Sequence, residues 1–281
     1  VTHAATSPST ALRRLARSLP GWVAIVAVAG VVAAPVVVIV ASILEPTTEV
    51  WQELWDTRLP SMIRDTVTLL TTVVTGATVL GTGLAWVVTA YDFPGRRLLG
   101  WALVVPLAVP GYVLGFVWLD TMQGPLGARA VRSIWLCAAV LIMALYPYVY
   151  LLARAAFRDQ SAATVAVARS LGCSPWQAWW RVTLPMARPS IAAGAALVAM
   201  EVLTDVGTVR LFNVSTIADG VLRVWFGTGN RNAAAELATL LIGAAVLLIA
   251  VERLLRGRAR YTQGARSETL AARRPGVGAT L

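Results

Sequence analysis

The chain has 281 residues, 57% hydrophobic and 14% charged, with a formal net charge of +10. A soluble domain covers itself with roughly 25% charged residues, so this composition, with a mean hydropathy of +0.69, excludes an ordinary soluble domain; it also excludes disorder, which requires few apolar residues. All 24 basic residues are arginine and they flank apolar runs, a pattern that points to a polytopic membrane protein and away from nucleic acid.

The first uncharged run covers residues 18–44, and thirteen residues between Gly21 and Leu44 are Val, Ile or Leu. At about −0.4 kcal/mol each, they favour insertion by roughly 5 kcal/mol. The run is long for a signal peptide and lacks a small-x-small cleavage site, so a retained first helix is expected. Further uncharged runs lie between Asp65 and Asp92, Arg97 and Asp120, and Arg132 and Arg154. A fifth, from Ser190 to about Phe212, carries Glu201 and Asp205, and a sixth, from Asn232 to Val251, holds only Glu236. A bilayer-crossing helix needs about 20 residues. The expected fold class is therefore an all-α polytopic membrane protein with six transmembrane helices. It divides into an N-terminal segment 1–17, a six-helix domain 18–255 and an Arg-rich tail 256–281.

Six crossings place both termini on one side. With cytoplasmic termini, sixteen arginines fall in inner segments and seven in outer ones, while the first outer loop holds Glu45, Glu49, Glu53 and Asp56. The positive-inside rule then predicts cytoplasmic termini. Trp22, Trp51, Trp55, Trp101, Trp118 and Trp135 lie near run ends, where an interface belt and helix packing explain them equally. Cys137 and Cys173 have neither pairing nor metal spacing, and His3 is the single histidine, so neither a metal site nor a catalytic site is expected.

Within the runs, Gly76, Gly81 and Gly83 allow close helix packing. Pro106 and Pro110, followed by Gly111 and Gly115, are expected to kink the third crossing, either for packing or as a flexible, pathway-lining break. Glu201 and Asp205 are four residues apart and share a helical face. A carboxylate at the membrane centre costs roughly 2.5–3.5 kcal/mol, so this face should point into the bundle. Two readings stand: a structural hydrogen-bonding pair, or the lining of a route for a polar or cationic substrate, with Arg210 as a charge partner.

Residues 158–189 form the longest inner loop. Ser161 can cap a first short helix, which Gly172 ends in a left-handed conformation. Ser174 and Pro175 open a second, which carries Trp176, Trp179, Trp180 and Arg181 and stops at Leu184–Pro185. The three tryptophans make one aromatic face, suited equally to a membrane surface or to a partner's groove.

This loop reads Ala166-Val167-Ala168, three residues, Gly172, nine residues, then Val182-Thr183-Leu184-Pro185. It resembles the EAA loop of ABC-importer permeases, whose pattern is Glu-Ala-Ala, three residues, Gly, nine residues, Ile-x-Leu-Pro. Ala166 departs from it by replacing the acidic residue. With Tyr146-Pro147-Tyr148, Met200-Glu201-Val202 and Val224-Trp225-Phe226-Gly227, the resemblance covers roughly residues 15–260 and is strongest to the ferric-iron (FbpB-like) permeases. It implies a type I importer permease fold in a bacterial inner membrane. It also implies ATPase-coupling roles for Ala166, Ala168, Arg169, Gly172, Pro175, Trp176, Trp179, Trp180, Arg181, Leu184 and Pro185. Pro106, Pro110, Glu201 and Asp205 are the candidate transport-pathway residues.

The implied partners are a separate ATPase pair holding ATP and Mg, an extracytoplasmic substrate-binding protein, and a second permease half supplied by a homodimer, another permease or a longer chain. For the Arg-rich tail, contact with anionic lipid headgroups and a linker to a missing second half stand as equal readings. The sequence has no lysine and no Gly-x-x-x-x-Gly-Lys-Ser/Thr loop, so the chain supplies no ATPase itself and binds no cofactor. Related permeases carry thiamine, polyamines, phosphonates, sulfate or molybdate. A degenerate half-permease or scaffold and an intramembrane enzyme built on Glu201 and Asp205 are the readings of other classes.

Overall fold

The computed structural model describes residues 8–42, 48–160, 168, 170–227 and 229–256, and every regular element among them is helical. In chain order these are α1 (Pro8–Ala41), α2 (Thr48–Thr57), α3 (Leu59–Ala90), α4 (Arg96–Ala102), a 3-10 turn (Val105–Ala108), α5 (Gly111–Leu126), α6 (Ala128–Val131) and α7 (Ile134–Asp159). After the inner loop come α8 (Pro175–Ala178), a π turn (Trp179–Thr183), α9 (Leu184–Thr204), α10 (Gly207–Leu211), α11 (Ile217–Gly227) and α12 (Arg231–Arg256).

Four helices are long and apolar enough to cross a membrane, namely Leu59–Ala90, Ile134–Asp159, Trp176–Thr204 and Arg231–Leu254. Arg96–Ala108 and Gly111–Pro125 make a fifth crossing when this pair, bent by 95°, counts as one. The described residues thus give four or five clear crossings where six were expected. Among the described residues, α1 contributes a shorter apolar stretch, Ile25–Ala41.

At the centre is α7, packed between α3 and α9. Its Leu141, Ala144, Val149, Tyr150 and Ala153 are buried. On α3 the buried residues Leu69, Val73, Ala77, Gly81, Ala85 and Val88 follow each other at three- or four-residue steps, a single ridge of small side chains. Between helices in lipid, where tails are as apolar as leucine, such close van der Waals contact replaces the hydrophobic drive.

Two glycines set the approach of these helices. A Cβ on Gly81 would lie 2.7 Å from the Tyr146 carbonyl oxygen, and one on Gly194 would lie 2.8 Å from the Val149 Cα. Val149 is thus clasped from both sides through missing side chains. Gly83, in contrast, faces open space, so of the glycines expected to pack closely it is the one with no neighbour.

At one end of the bundle, α2 lays Leu54 into a second apolar cluster with Leu59, Val224, Ala233, Ala234 and Leu237. The Thr66 hydroxyl there accepts the Ile217 N–H at 3.0 Å. The acidic loop expected after the first run therefore folds in part as an amphipathic helix.

Two expected boundaries are corrected. The fifth run was placed at 190–212, but its helix ends at Thr204. The loop's second helix was expected to stop at Leu184–Pro185, yet Trp176–Thr204 is continuous. The π turn is the reason. The Leu184 N–H bonds the Trp179 carbonyl five residues back, and Pro185, which has no N–H to lose, occupies the first turn of α9. Proline at a helix start loses no hydrogen bond, whereas Pro189 lies inside α9.

Candidate functional site

The inner loop is built by local chemistry as the sequence suggested. Gly172 has φ +87°, and the Cys173 N–H reaches the Ala168 carbonyl at 3.2 Å. This is the six-to-one bond of a Schellman helix stop. Immediately after, the Ser174 hydroxyl accepts the Gln177 N–H at 3.2 Å, and the Gln177 side chain accepts the Ser174 N–H at 3.0 Å. The reciprocal pair is a capping box, and Pro175 sits in the first turn of α8. Ala166, Arg169 and the Ser161 cap lie outside the described residues, as do residues 1–7 and the tail 257–281.

The aromatic face does not stand alone. Trp176 stacks on Trp179 at 5.1 Å between ring centroids, and Trp179 meets Trp180 edge-on at 4.7 Å. Trp86, near the end of α3, joins them at 5.0 Å from Trp179 and 5.5 Å from Trp176, and continues to Tyr91 at 5.4 Å. Trp179 is buried, whereas Trp176 and Trp180 are half exposed. The turn after α8 is tied at a second point, where Gln160 at the end of α7 donates to the Thr183 carbonyl at 2.9 Å. Arg181 is exposed, and Leu184 and Pro185 are half-buried at the root of α9. The loop is therefore fastened to both α3 and α7, with an outer edge of Trp176, Trp180 and Arg181 left open.

At the other end of α9 the expected carboxylate pair is split. Glu201 is exposed in the last turn, and its carboxylate has no partner among the described residues. Asp205 lies just past the helix end, where its carboxylate accepts the Thr208 N–H at 2.8 Å and the Thr208 hydroxyl at 2.7 Å. Asp205 thus caps α10.

The bent third crossing comes to this joint. Pro106 lies in the 3-10 turn and Pro110 precedes α5, so two prolines on a short stretch give a sharp break rather than a kink. A Cβ on Gly111 would lie 3.2 Å from the Thr208 hydroxyl and 3.6 Å from an Asp205 carboxylate oxygen. Pro110 and Asp205, two candidate pathway residues far apart in sequence, are brought to one place.

Arg210 is not the partner of this pair. It binds Asp219, with its Nε 2.5 Å from Oδ1, and Arg223 holds the other carboxylate oxygen. Asp219 is fully buried while both arginines keep more than 40% of their side-chain exposure. The i,i+4 spacing of Asp219 and Arg223 was legible in the sequence, and so was the Ser-x-x-Gln of the capping box. Nothing local marked Trp86 or Gln160, whose contacts are tertiary.

The sequence profile of the family described as binding-protein-dependent transport system inner membrane component matches residues 77–256. Among relatives, the chain is 26% identical over 201 residues to the Fe(3+)-transport system permease protein FbpB 2 of Haemophilus influenzae, covering 72% of this chain but 38% of that one. It is also 26% identical over 228 residues to the molybdate/tungstate transport system permease protein WtpB of Thermococcus kodakarensis, covering 81% of this chain and 91% of that one. A chain from the crystal structure of a bacterial ABC transporter that imports the polysaccharide alginate superposes with a TM-score of 0.70 at 14% identity, over 89% of this chain and 99% of that one.

Proposed function

Because the chain belongs to the family of binding-protein-dependent transport system inner membrane components, we propose that it forms half of the translocation pathway of an ATP-driven importer and is moved by a separate ATPase gripping the Trp176–Arg181 edge. Family membership makes it a non-catalytic transport subunit. The observation that carries the coupling role is the fastening of the loop to α3 and α7 with one edge left open. A push on that edge loads two crossings directly, and a third through the continuous helix Trp176–Thr204.

In this reading the loop end is cytoplasmic, following the arginine count, and α1 supplies the sixth crossing. Val23, Val26, Val31 and Val38 of α1 are exposed, as suits a helix facing lipid or a second half. An extracytoplasmic binding protein delivers the cargo, and the second half is a copy of this chain, another permease or the rest of a longer protein. Glu201 and the Pro110–Asp205 joint line the path.

The cargo reading favours a small oxyanion over ferric iron. Identity to the two named relatives is equal, but the molybdate/tungstate permease is matched over 91% of its length and the Fe(3+) permease over 38%. With Asp205 engaged by Thr208, the two carboxylates do not jointly present the acidic lining for a cationic substrate that the sequence pair suggested. The test is co-reconstitution with an importer ATPase and a binding protein from the same genome, measuring ATP-dependent uptake of molybdate, sulfate and ferric iron. Uptake of the oxyanions and not iron is expected; iron uptake alone would reverse the cargo reading, and failure of any ATPase to co-purify would remove the coupling role.

A further inference from the structure

Beside the coupling loop, the turn between α3 and α4 and the last turns of α7 enclose an open cavity of about 560 Å³. Four arginines line it, Arg96, Arg97, Arg154 and Arg158, against the single carboxylate of Asp92. That carboxylate offsets little of the charge, since its side chain is 94% exposed and stands 3.7 Å from Arg96, and exposed pairs in water are weak.

Two of the arginines are structurally committed. Arg96 donates to the Val88 and Thr89 carbonyls at 2.6 and 3.2 Å and closes the end of α3. Arg154 donates to the Gly100 carbonyl at 3.0 Å, leaving its Nε buried without a partner. Arg97 and Arg158 are exposed and have no hydrogen-bond or ion-pair partner among the described residues. Four like charges converge, and neither the fold nor the coupling geometry uses the free pair.

The rim tells what kind of anion fits. Leu98 and Trp101 on α4 are 76% and 77% exposed, so a strongly apolar edge runs directly beside the basic cavity. Tryptophan and leucine next to arginine mark the level where hydrocarbon meets headgroups. Basic pockets between transmembrane helices bind anionic headgroups there, and phosphate oxygens suit the arginine fork.

We propose that this cavity is a binding site for the phosphate of an anionic phospholipid, held by Arg97, Arg158 and Arg154, with the lipid's chains lying along Leu98 and Trp101. A bound lipid would brace α4 against the end of α7, next to the loop.

The test is lipid retention by the purified full chain in detergent, read by native mass spectrometry with phosphatidylglycerol or phosphatidylcholine added. Wild type is expected to retain one phosphatidylglycerol in preference to phosphatidylcholine. Arg97→Gln with Arg158→Gln should weaken that retention about thirty-fold, from the usual contribution of two basic residues near a lipid surface. Arg132→Gln with Arg253→Gln, an equal charge loss elsewhere, should retain it as wild type does. Should the glutamine pair fail to fold, Arg97→Lys with Arg158→Lys keeps the charge, and its retention is expected to fall between the two. Equal retention by all variants would overturn the site. Displacement by inorganic phosphate as readily as by lipid would reassign it to a free anion, and loss of ATPase co-purification with lipid retention intact would reassign it to protein docking.

Discussion

The coupling geometry makes a sharp demand on Trp86. Replacing it with alanine removes three ring contacts, to Trp179 at 5.0 Å, Trp176 at 5.5 Å and Tyr91 at 5.4 Å. Aromatic pairs contribute about 0.5–1.5 kcal/mol each beyond their area, and two of the three reach the loop, so the link between α3 and the loop loses about 1–3 kcal/mol. The Trp176–Trp179–Trp180 cluster itself survives, because those contacts lie within the loop, and so does the open edge offered to an ATPase. The expected result in proteoliposomes is therefore selective. ATPase association and hydrolysis persist, while the uptake obtained per ATP hydrolysed falls about tenfold, the equivalent of about 1.4 kcal/mol lost from the coupling. Trp86→Phe, which keeps a ring in place, should recover most of it. An unchanged ratio in a folded Trp86→Ala protein would refute the claim that α3 is driven through this contact.

Gly172→Val should act on the same step. A β-branched residue at φ +87° costs about 1–2 kcal/mol, and since a Cβ there meets open space, the effect should be loss of coupled uptake rather than loss of folded protein, read as retained melting temperature with reduced uptake. Asp219→Asn removes the fully buried counter-charge of Arg210 and Arg223. Breaking a buried pair costs about 3–5 kcal/mol, with the lower end expected here because both arginines reach solvent, and thermal melting in detergent measures it. Gly81→Leu forces α3 away from the Tyr146 backbone and should cost about 1–3 kcal/mol on the same melt, while Gly83→Leu, facing open space, should leave it unchanged.

What the sequence made legible was local or compositional. The apolar runs foretold the crossings at α3, α7 and α12, and Gly172 with Ser174 and Pro175 foretold the stop and restart of the loop, because those signals act over three or four residues. The bend at Pro106 and Pro110 was foreseen in kind but not in degree, since one proline inside a 3-10 turn and a second just after it accompany a 95° break. The misplaced partner of Arg210 has a different cause. Glu201 and Asp205 were the nearest carboxylates in the run, but α9 ends at Thr204, and the chain then turns through α10 to bring Asp219 of α11 to Arg210. A helix periodicity extended past a helix end assigns every later side chain to the wrong face.

The misreading at Leu184–Pro185 bears most directly on mechanism. A proline that ended the loop helix would leave a flexible joint between the edge proposed to meet an ATPase and the membrane crossing, and force on the loop would be absorbed there. The π turn removes the stop at Leu184–Pro185, so residues 176–204 run as one continuous rod of 29 residues, about 44 Å long at 1.5 Å per residue, with Pro189 inside it. One end of the rod carries the tryptophans clamped to Trp86, and the other abuts Asp205, whose carboxylate is fixed to Thr208 beside Gly111 at the broken crossing. A tilt of the rod at the loop must therefore displace the Asp205 end relative to α5, where the backbone is already interrupted and a hinge costs least. In the proposed coupling reading, the wide turn and the proline break form one device, a continuous arm working against a pre-broken helix, and a flexible glycine pair in place of the π turn should lose the arm while keeping the break.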